Sequence, residues 1–140
     1  MRHFQRLSAL VSLLICLGCG SSKGINPIAL LTANEWELSA IQGIGSLESL
    51  YPAGLPSLYF LDGGKLSGYT GCNNFSGGFS LESGGIQLDP GAMTKKACPG
   101  SGEDDFLSAF ARVKTYTVDK EKLTLSDGAT ELMSFIPKKD

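Results

Sequence analysis

Few residues of this chain could carry catalytic chemistry, and histidine is the clearest gap. His3 is the only histidine in the 140-residue sequence, and it lies in the N-terminal segment. Because the chain after residue 3 contains no histidine, it can form neither a Ser-His-Asp triad nor a Cys-His pair. It also lacks the usual ligands of catalytic zinc. The sequence therefore predicts no histidine-based catalysis, no metal site and no cofactor.

The acidic residues leave one enzymatic alternative open. Two carboxyl groups can act as general acid and base when a fold brings them together. Their spacing here does not favour such a pair over solvated turns and a charged helix start. We therefore expect no enzymatic activity, with carboxylate hydrolysis as the alternative. The candidate acids are Asp62, Glu82, Asp89, Glu103, Asp104 and Asp105.

Residues 1–18 have the three-part layout of an export signal. Arg2 and Arg6 give a positive start, an apolar run follows, and Gly18 supplies a small residue before the cut. The apolar run is too short to span a bilayer comfortably. The segment 16–19, Cys-Leu-Gly-Cys, resembles the lipobox of bacterial lipoproteins. On that resemblance Cys19 carries the lipid, and ordinary secretion with cleavage nearby is the alternative.

The residue after the lipid-carrying cysteine bears on localisation. Gly20 follows Cys19, and in lipoproteins this resembles the default for the outer membrane. We therefore expect a protein anchored in the outer membrane by its lipid and facing the periplasm. Residues 19–33 are interpreted as a tether and residues 34–137 as one folded domain.

The two remaining cysteines predict a disulfide. With Cys19 consumed by lipid and Cys16 removed with the leader, Cys72 and Cys98 are left. Exported proteins fold in an oxidising space, where such a pair is most simply a bridge. Cys72 lies in a bend rich in glycine and asparagine, residue types that tolerate positive φ. The bridge would therefore fix this bend.

The charge balance bears on possible partners. The formal net charge is −2, with 12 basic and 14 acidic residues. Because no basic excess exists to neutralise phosphates, a nucleic-acid partner is not expected.

Short strands and one helix are predicted from the periodicity. Alternation over residues 36–41 predicts a strand with Trp36, Leu38 and Ala40 facing inward. Further strands are predicted on both sides of turns at residues 62–64 and 83–85, and in a C-terminal meander. Residues 43–56 read as a loop that either packs against the body or lines an opening. Its apolar residues are Leu47, Leu50, Tyr51 and Leu55.

One amphipathic helix is predicted after residue 101. Ser101 is its expected N-cap, with Asp104 as the reciprocal residue of a capping box. Apolar residues then recur at helical spacing on one face. The predicted fold is α+β and mostly β: a small antiparallel sheet curled into a partial barrel around this helix. The apolar face consists of Phe106, Leu107, Phe110 and Val113.

Together these segments resemble the META domain family, which includes HslJ-like heat-shock lipoproteins. The resemblance covers residues 34–136 and implies a β-sheet around a helix in an envelope protein linked to stress. It carries over no catalytic residue, and it implies that Gly71, Cys72, Asn73 and Cys98 serve as turn, cap and bridge. The matching motifs are Trp36-x-Leu38, Gly71-Cys72-Asn73-x-Phe75, Thr94-x-x-Ala97-Cys98-Pro99 and Leu123-x-Leu125.

Two functions follow as hypotheses. The first is a lipid-anchored, non-catalytic envelope protein that binds a protein partner or supports the outer membrane under stress. The second is a module that holds a lipid or an apolar peptide within its curved sheet, similar to a secretin pilot. In the second case the apolar residues of the 43–56 loop would line the mouth.

Overall fold

The computed structural model describes residues 24–140, and in this range the chain is mostly β. Eight antiparallel strands form one ring-like sheet, accompanied by three helices, so the predicted fold class is confirmed. The helices are α1 (Pro27–Thr32), α2 (Leu47–Leu50) and α3 (Gly102–Arg112). The strands are β1 (Glu35–Ile41), β2 (Ser57–Leu61), β3 (Lys65–Tyr69), β4 (Asn74–Glu82), β5 (Gly85–Met93), β6 (Thr115–Val118), β7 (Leu123–Ser126) and β8 (Glu131–Pro137).

Each strand pairs with the next one along the chain, and β8 pairs with β1 to complete the ring. Because every pair is antiparallel, successive connections lie at alternate ends of the sheet. The β3–β4 turn and the α3 connection lie at one end, which we call the disulfide end. The β6–β7 turn and the start of β1 lie at the opposite end, which we call the α1 end.

The ring is weakest between β5 and β6, where only Gly85 and Thr115 are paired. The α3 helix connects these two strands and sends aromatic side chains into the interior. Phe106 and Phe110 are 0% and 3% exposed, and the ring centroids of Phe75 and Phe110 are 5.7 Å apart. The predicted helix therefore places core residues beside the strand pair that has the fewest paired residues.

The interior of the ring is filled by the protein's own side chains. The largest completely buried residues come from six of the eight strands (β1, β2, β3, β5, β7 and β8) and from α1 and α3. They are Trp36, Phe60, Phe106, Phe135, Leu31, Leu38, Leu58, Leu66, Ile86, Leu123, Leu125 and Leu132.

Strand β1 corrects one predicted side-chain direction. Trp36 and Leu38 face inward as expected, whereas Ala40 is exposed and Ile41 is buried. The register against β8 shifts between Leu38 and Ala40. Such a bulge adds a residue to one strand and interrupts the alternation of side chains. The strand was predicted correctly, but after Leu38 the side chain that faces inward is Ile41 rather than Ala40.

The helix start corrects a second detail. The predicted capping box between Ser101 and Asp104 is absent, and Ser101 makes no side-chain bond to the backbone of the helix. Its hydroxyl instead donates to the Asp105 carboxylate at 2.8 Å. The first turn contains Glu103, Asp104 and Asp105, as expected at the positive end of a helix.

The folded domain begins earlier than residue 34. Residues 27–32, predicted as part of a tether, form α1, in which Asn26 accepts a capping bond from the Ile28 amide at 3.0 Å. Leu31 is completely buried, and its carbonyl accepts a hydrogen bond from the Trp36 indole at 2.9 Å. Leu31 of α1 therefore belongs to the core. The predicted signal peptide and Cys19 lie outside the described residues.

The 43–56 loop packs against the body. It contains the short α2, followed by Tyr51, which is 3% exposed. Leu47, Leu50 and Leu55 are partly buried against the core. The loop therefore packs against the body, as in the first alternative, and its Leu50 and Tyr51 also line a surface cleft. Across residues 24–140, no helix has the length and hydropathy that crossing a membrane requires.

Candidate functional site

The β3–β4 turn at the disulfide end contains the predicted motif. Cys72 is bonded to Cys98, with their Cα atoms 5.9 Å apart, so the expected bridge is present. Gly71 has a φ of 92°, in the region that favours glycine. A Cβ atom at this position would collide with the Tyr51 ring. Gly71 therefore serves both the turn and the close packing of the 43–56 loop.

Asn73 is the centre of a buried polar network. It is 2% exposed, and its side-chain nitrogen donates to the Lys96 carbonyl at 3.0 Å. Its side-chain oxygen accepts from the Lys96 amide at 2.7 Å and from the Thr94 hydroxyl at 2.9 Å. A buried amide that satisfies this many groups fixes the loop on which Cys98 lies. These bonds explain how Asn73 connects the β3–β4 turn to the segment that precedes Cys98.

Glu103 joins the same network from the first turn of α3. Its carboxylate accepts from the Asn73 side-chain nitrogen at 2.9 Å and from the Thr70 hydroxyl. The Thr70 hydroxyl oxygen in turn accepts a hydrogen bond from the backbone amide of Asn73 at 2.9 Å. In the part of the chain that the structure describes, no buried side-chain nitrogen or oxygen lacks a hydrogen-bond partner.

The other candidate acids are spread over different elements. Asp62 lies in the β2–β3 turn, Glu82 ends β4 and Asp89 lies within β5. Glu103 and Asp104 line the same cleft, next to the disulfide. Between residues 24 and 140, no group of three or more histidine, cysteine or acidic side chains is placed to hold a metal ion.

The cleft beside the disulfide has a volume of about 320 Å³. The Tyr51 hydroxyl donates to the Gly102 carbonyl at 2.9 Å across one side of it. Burial raises the pKa of Tyr51 to about 12, and the negative charge of Asp105 acts in the same direction. The phenol is therefore neutral at physiological pH and serves as a hydrogen-bond donor. The cleft is lined by Leu50, Tyr51, Pro52, Ala53, Gly71, Cys72, Cys98, Pro99, Gly100, Gly102, Glu103 and Asp104.

A second cleft, of about 590 Å³, lies on the outer face of β1 to β4. Lys138 donates to Glu35 at 3.0 Å at its margin. Burial raises the pKa of Glu35, but hydrogen bonds from Lys138 and Ser57 outweigh this effect and leave the pKa below its ordinary value. Tyr59 and Tyr69 contribute the aromatic part of the lining.

An apolar groove of about 530 Å³ lies at the α1 end. It is formed by Ile25, Pro27, Leu30, Val118 and the β6–β7 turn at residues 119–121. Ile25 lines this groove and is 72% accessible, and Ile28 in the adjoining α1 is 45% accessible. The sequence interpretation missed this groove, because it assigned residues 19–33 to a tether. The Asn26-Pro27 pair, typical of a helix start, was the available signal.

Comparison with known proteins identifies the family. The model of the META domain matches residues 29–140, which is most of the chain. This chain belongs to the META domain family. The match includes the last four residues of α1, in agreement with a META domain that begins before residue 34.

Solved structures share the fold of this META domain at low sequence identity. A DUF4847 family protein from Bacteroides vulgatus is 14% identical, with a TM-score of 0.62 over 82% of this chain and 99% of its own. A protein from Burkholderia xenovorans, solved by NMR, is 24% identical, with a TM-score of 0.58 over 82% of this chain and 90% of its own.

A further NMR structure is 21% identical, with a TM-score of 0.60 over 81% of this META domain chain and 95% of its own. Identities this low show the fold alone. No curated protein matches the chain significantly.

Proposed function

We propose that this META domain protein is a non-catalytic envelope protein, anchored in the outer membrane by a lipid on Cys19. It faces the periplasm, where it binds a protein partner or supports the outer membrane under stress. The observation that carries the proposal is the Cys-Leu-Gly-Cys segment at 16–19, which ends an export-type leader. Only seven residues lie between Cys19 and Pro27, the first residue of α1.

The disulfide supports an exported location. Cysteine pairs persist as bridges in oxidising compartments and are rare where thiols are kept reduced. Cys72 and Cys98 are bonded here, and Cys72 is 3% exposed. A bridge of this kind fits a domain that works outside the cytoplasm.

The filled interior supports binding through the surface. Trp36, Phe60, Phe106 and Phe135 occupy the inside of the ring and are completely buried. A lipid or peptide held inside the sheet would have to displace such side chains, at a cost of several kcal/mol. The pilot-like alternative is therefore less well supported than contact at a surface cleft.

The bonding of the acids supports a non-catalytic role. Glu103 accepts hydrogen bonds from Thr70 and Asn73 within a structural network. Both carboxylate oxygens of Glu103 accept hydrogen bonds from side chains of the β3–β4 turn. Its bonding is therefore that of a residue that holds the turn in place.

Metabolic labelling with palmitate tests the anchor. Wild-type protein is expected to incorporate label and to fractionate with the outer membrane, whereas Cys19→Ser is expected to do neither. Cys16→Leu is the matched control, because it removes the other cysteine of the segment and introduces the residue usual at that lipobox position, so labelling should be unchanged. Equal labelling of wild type and Cys19→Ser would contradict the anchor.

Crosslinking in intact envelopes tests partner binding. A photoreactive residue at Ala53, which is exposed and lines the cleft beside the disulfide, should yield a discrete crosslinked species in the wild type. The same residue at the exposed Gln87 serves as the control. Indistinguishable crosslinking patterns at the two positions would contradict a partner at this cleft.

A further inference from the structure

We infer that the apolar groove at the α1 end lies against the phospholipid bilayer, so that the domain stands on the membrane with its disulfide end outward. The inference rests on the proposed lipid anchor at Cys19. It adds an orientation and a contact surface that the anchor alone does not give.

Exposure of the groove is the first observation. Ile25 is 72% and Ile28 45% exposed, although both are large aliphatic side chains. Ile25 lines the groove together with Pro27, Leu30 and Val118, so the apolar surface is continuous rather than a single residue. An apolar surface of this kind is favoured at the boundary between headgroups and acyl chains.

The length of the preceding chain identifies the occupant. Six residue steps separate Cys19 from Ile25. A fully extended chain of this length spans at most about 22 Å. A folded body of this size is about 35 Å across. A lipid on Cys19 therefore holds the α1 end near the membrane, and the disulfide end cannot take its place.

The tether also explains how a small apolar surface can engage the bilayer. Two isoleucines bind a membrane weakly from free solution, because few apolar groups are buried. A short linker makes the second contact intramolecular and raises its effective concentration. The acyl chains therefore keep the protein on the membrane, and the groove needs only to orient the domain.

The charges near the groove indicate that the contact is not electrostatic. Asp119, Lys120, Glu121 and Lys122 form the β6–β7 turn, with two negative and two positive charges that sum to zero. Asp119 accepts from the backbone amides of Glu121 and Lys122, and these bonds lower its pKa. We therefore expect contact with neutral phosphatidylcholine, little changed by salt or by added anionic lipid.

Quenching by spin-labelled lipids tests the orientation with a pair of turn residues at opposite ends. The lipidated protein is reconstituted into phosphatidylcholine vesicles with an environment-sensitive fluorophore at Lys120→Cys or Ala129→Cys. Both positions are exposed, and both lie far from Cys19 in sequence. Nitroxide lipids labelled near the headgroup should quench the probe at 120 at least about threefold more strongly than the probe at 129.

A second variant separates groove contact from simple proximity. Ile25→Ser with Ile28→Ser should lower quenching at position 120 at least about twofold, with flotation of the protein unchanged. Both residues are exposed, so the fold should tolerate the change. Equal quenching at positions 120 and 129 would overturn the inference. Quenching at position 120 that is unchanged by the serine substitutions would also overturn it.

Two further outcomes distinguish the remaining cases. Protein that fails to float with the vesicles would overturn the anchor, and the groove contact with it. Protein that floats but forms crosslinked dimers through position 120, without quenching, would assign the groove to a second copy and overturn contact with the bilayer.

Discussion

At the disulfide end, Asn73 and Glu103 are held by hydrogen bonds from three segments of the chain, and a covalent bridge closes the turn beside them. At the α1 end, the conspicuous side chains are Ile25 and Ile28, which remain largely exposed. Buried, satisfied polar groups specify one local conformation. Exposed apolar groups gain free energy only when another surface covers them. The first region is therefore fixed by its own bonds, whereas the second leaves apolar surface exposed.

The largest expected effect tests the stability of the disulfide end. Replacing both bridge cysteines, as Cys72→Ser with Cys98→Ser, should lower the free energy of unfolding by about 3.5 kcal/mol, because the 26-residue loop is no longer constrained in the unfolded chain. Urea unfolding of the protein produced without residues 1–19 measures this loss. Reduction of the wild type should reproduce it, and a reductant should not affect the double variant. A loss below about 1 kcal/mol would mean that the network holds the turn without the bridge.

The next effect sharpens the boundary within α1. Leu31→Ala should lower the free energy of unfolding by about 3 kcal/mol, because this completely buried side chain leaves a cavity under Trp36. Ile28→Ala in the same helix should cost less than about 0.5 kcal/mol, because its side chain is 45% exposed. Thermal or urea unfolding compares the two. Similarly small losses in the free energy of unfolding for both variants would mean that residues 27–33 are a tether and not part of the folded domain.

The smallest effect concerns the hydroxyl of Tyr51. Tyr51→Phe should cost about 1 kcal/mol at pH 7, because the Gly102 carbonyl loses its donor. The measurement is urea unfolding at pH 7, 10 and 11. The control is Tyr59→Phe, because that residue is 42% exposed.

The pH dependence of this variant has a definite sign. Burial and the charge of Asp105 raise the pKa of Tyr51 to about 12, whereas an unfolded tyrosine titrates near about 10. The neutral phenol therefore stabilises the fold fully below about pH 10, and this contribution is lost as pH rises towards about 12. Since phenylalanine cannot ionise, the deficit of Tyr51→Phe should shrink above pH 10. A deficit that stays constant from pH 7 to 11 would contradict the raised pKa.

Local patterns were sufficient for much of the fold. Alternation predicted β1, the turns at 62–64 and 83–85 predicted the hairpins, and the spacing of Phe106 and Phe110 predicted α3. Such patterns are readable because one buried face repeats with the period of its element. They failed at Ala40, where a bulge set by pairing with β8 changes the inward face.

The sequence by itself determined which residue types are present: an N-terminal segment that predicts a lipid anchor, two cysteines after residue 19 and no histidine after residue 3. Only the tertiary structure decided what those residues meet. Asn73 finds its partners 21 to 30 residues away, at Thr94, Lys96 and Glu103. The ring closes between β1 and β8 across nearly the whole domain. Residue type fixes which bonds a side chain can make, but long-range packing decides which groups come within reach.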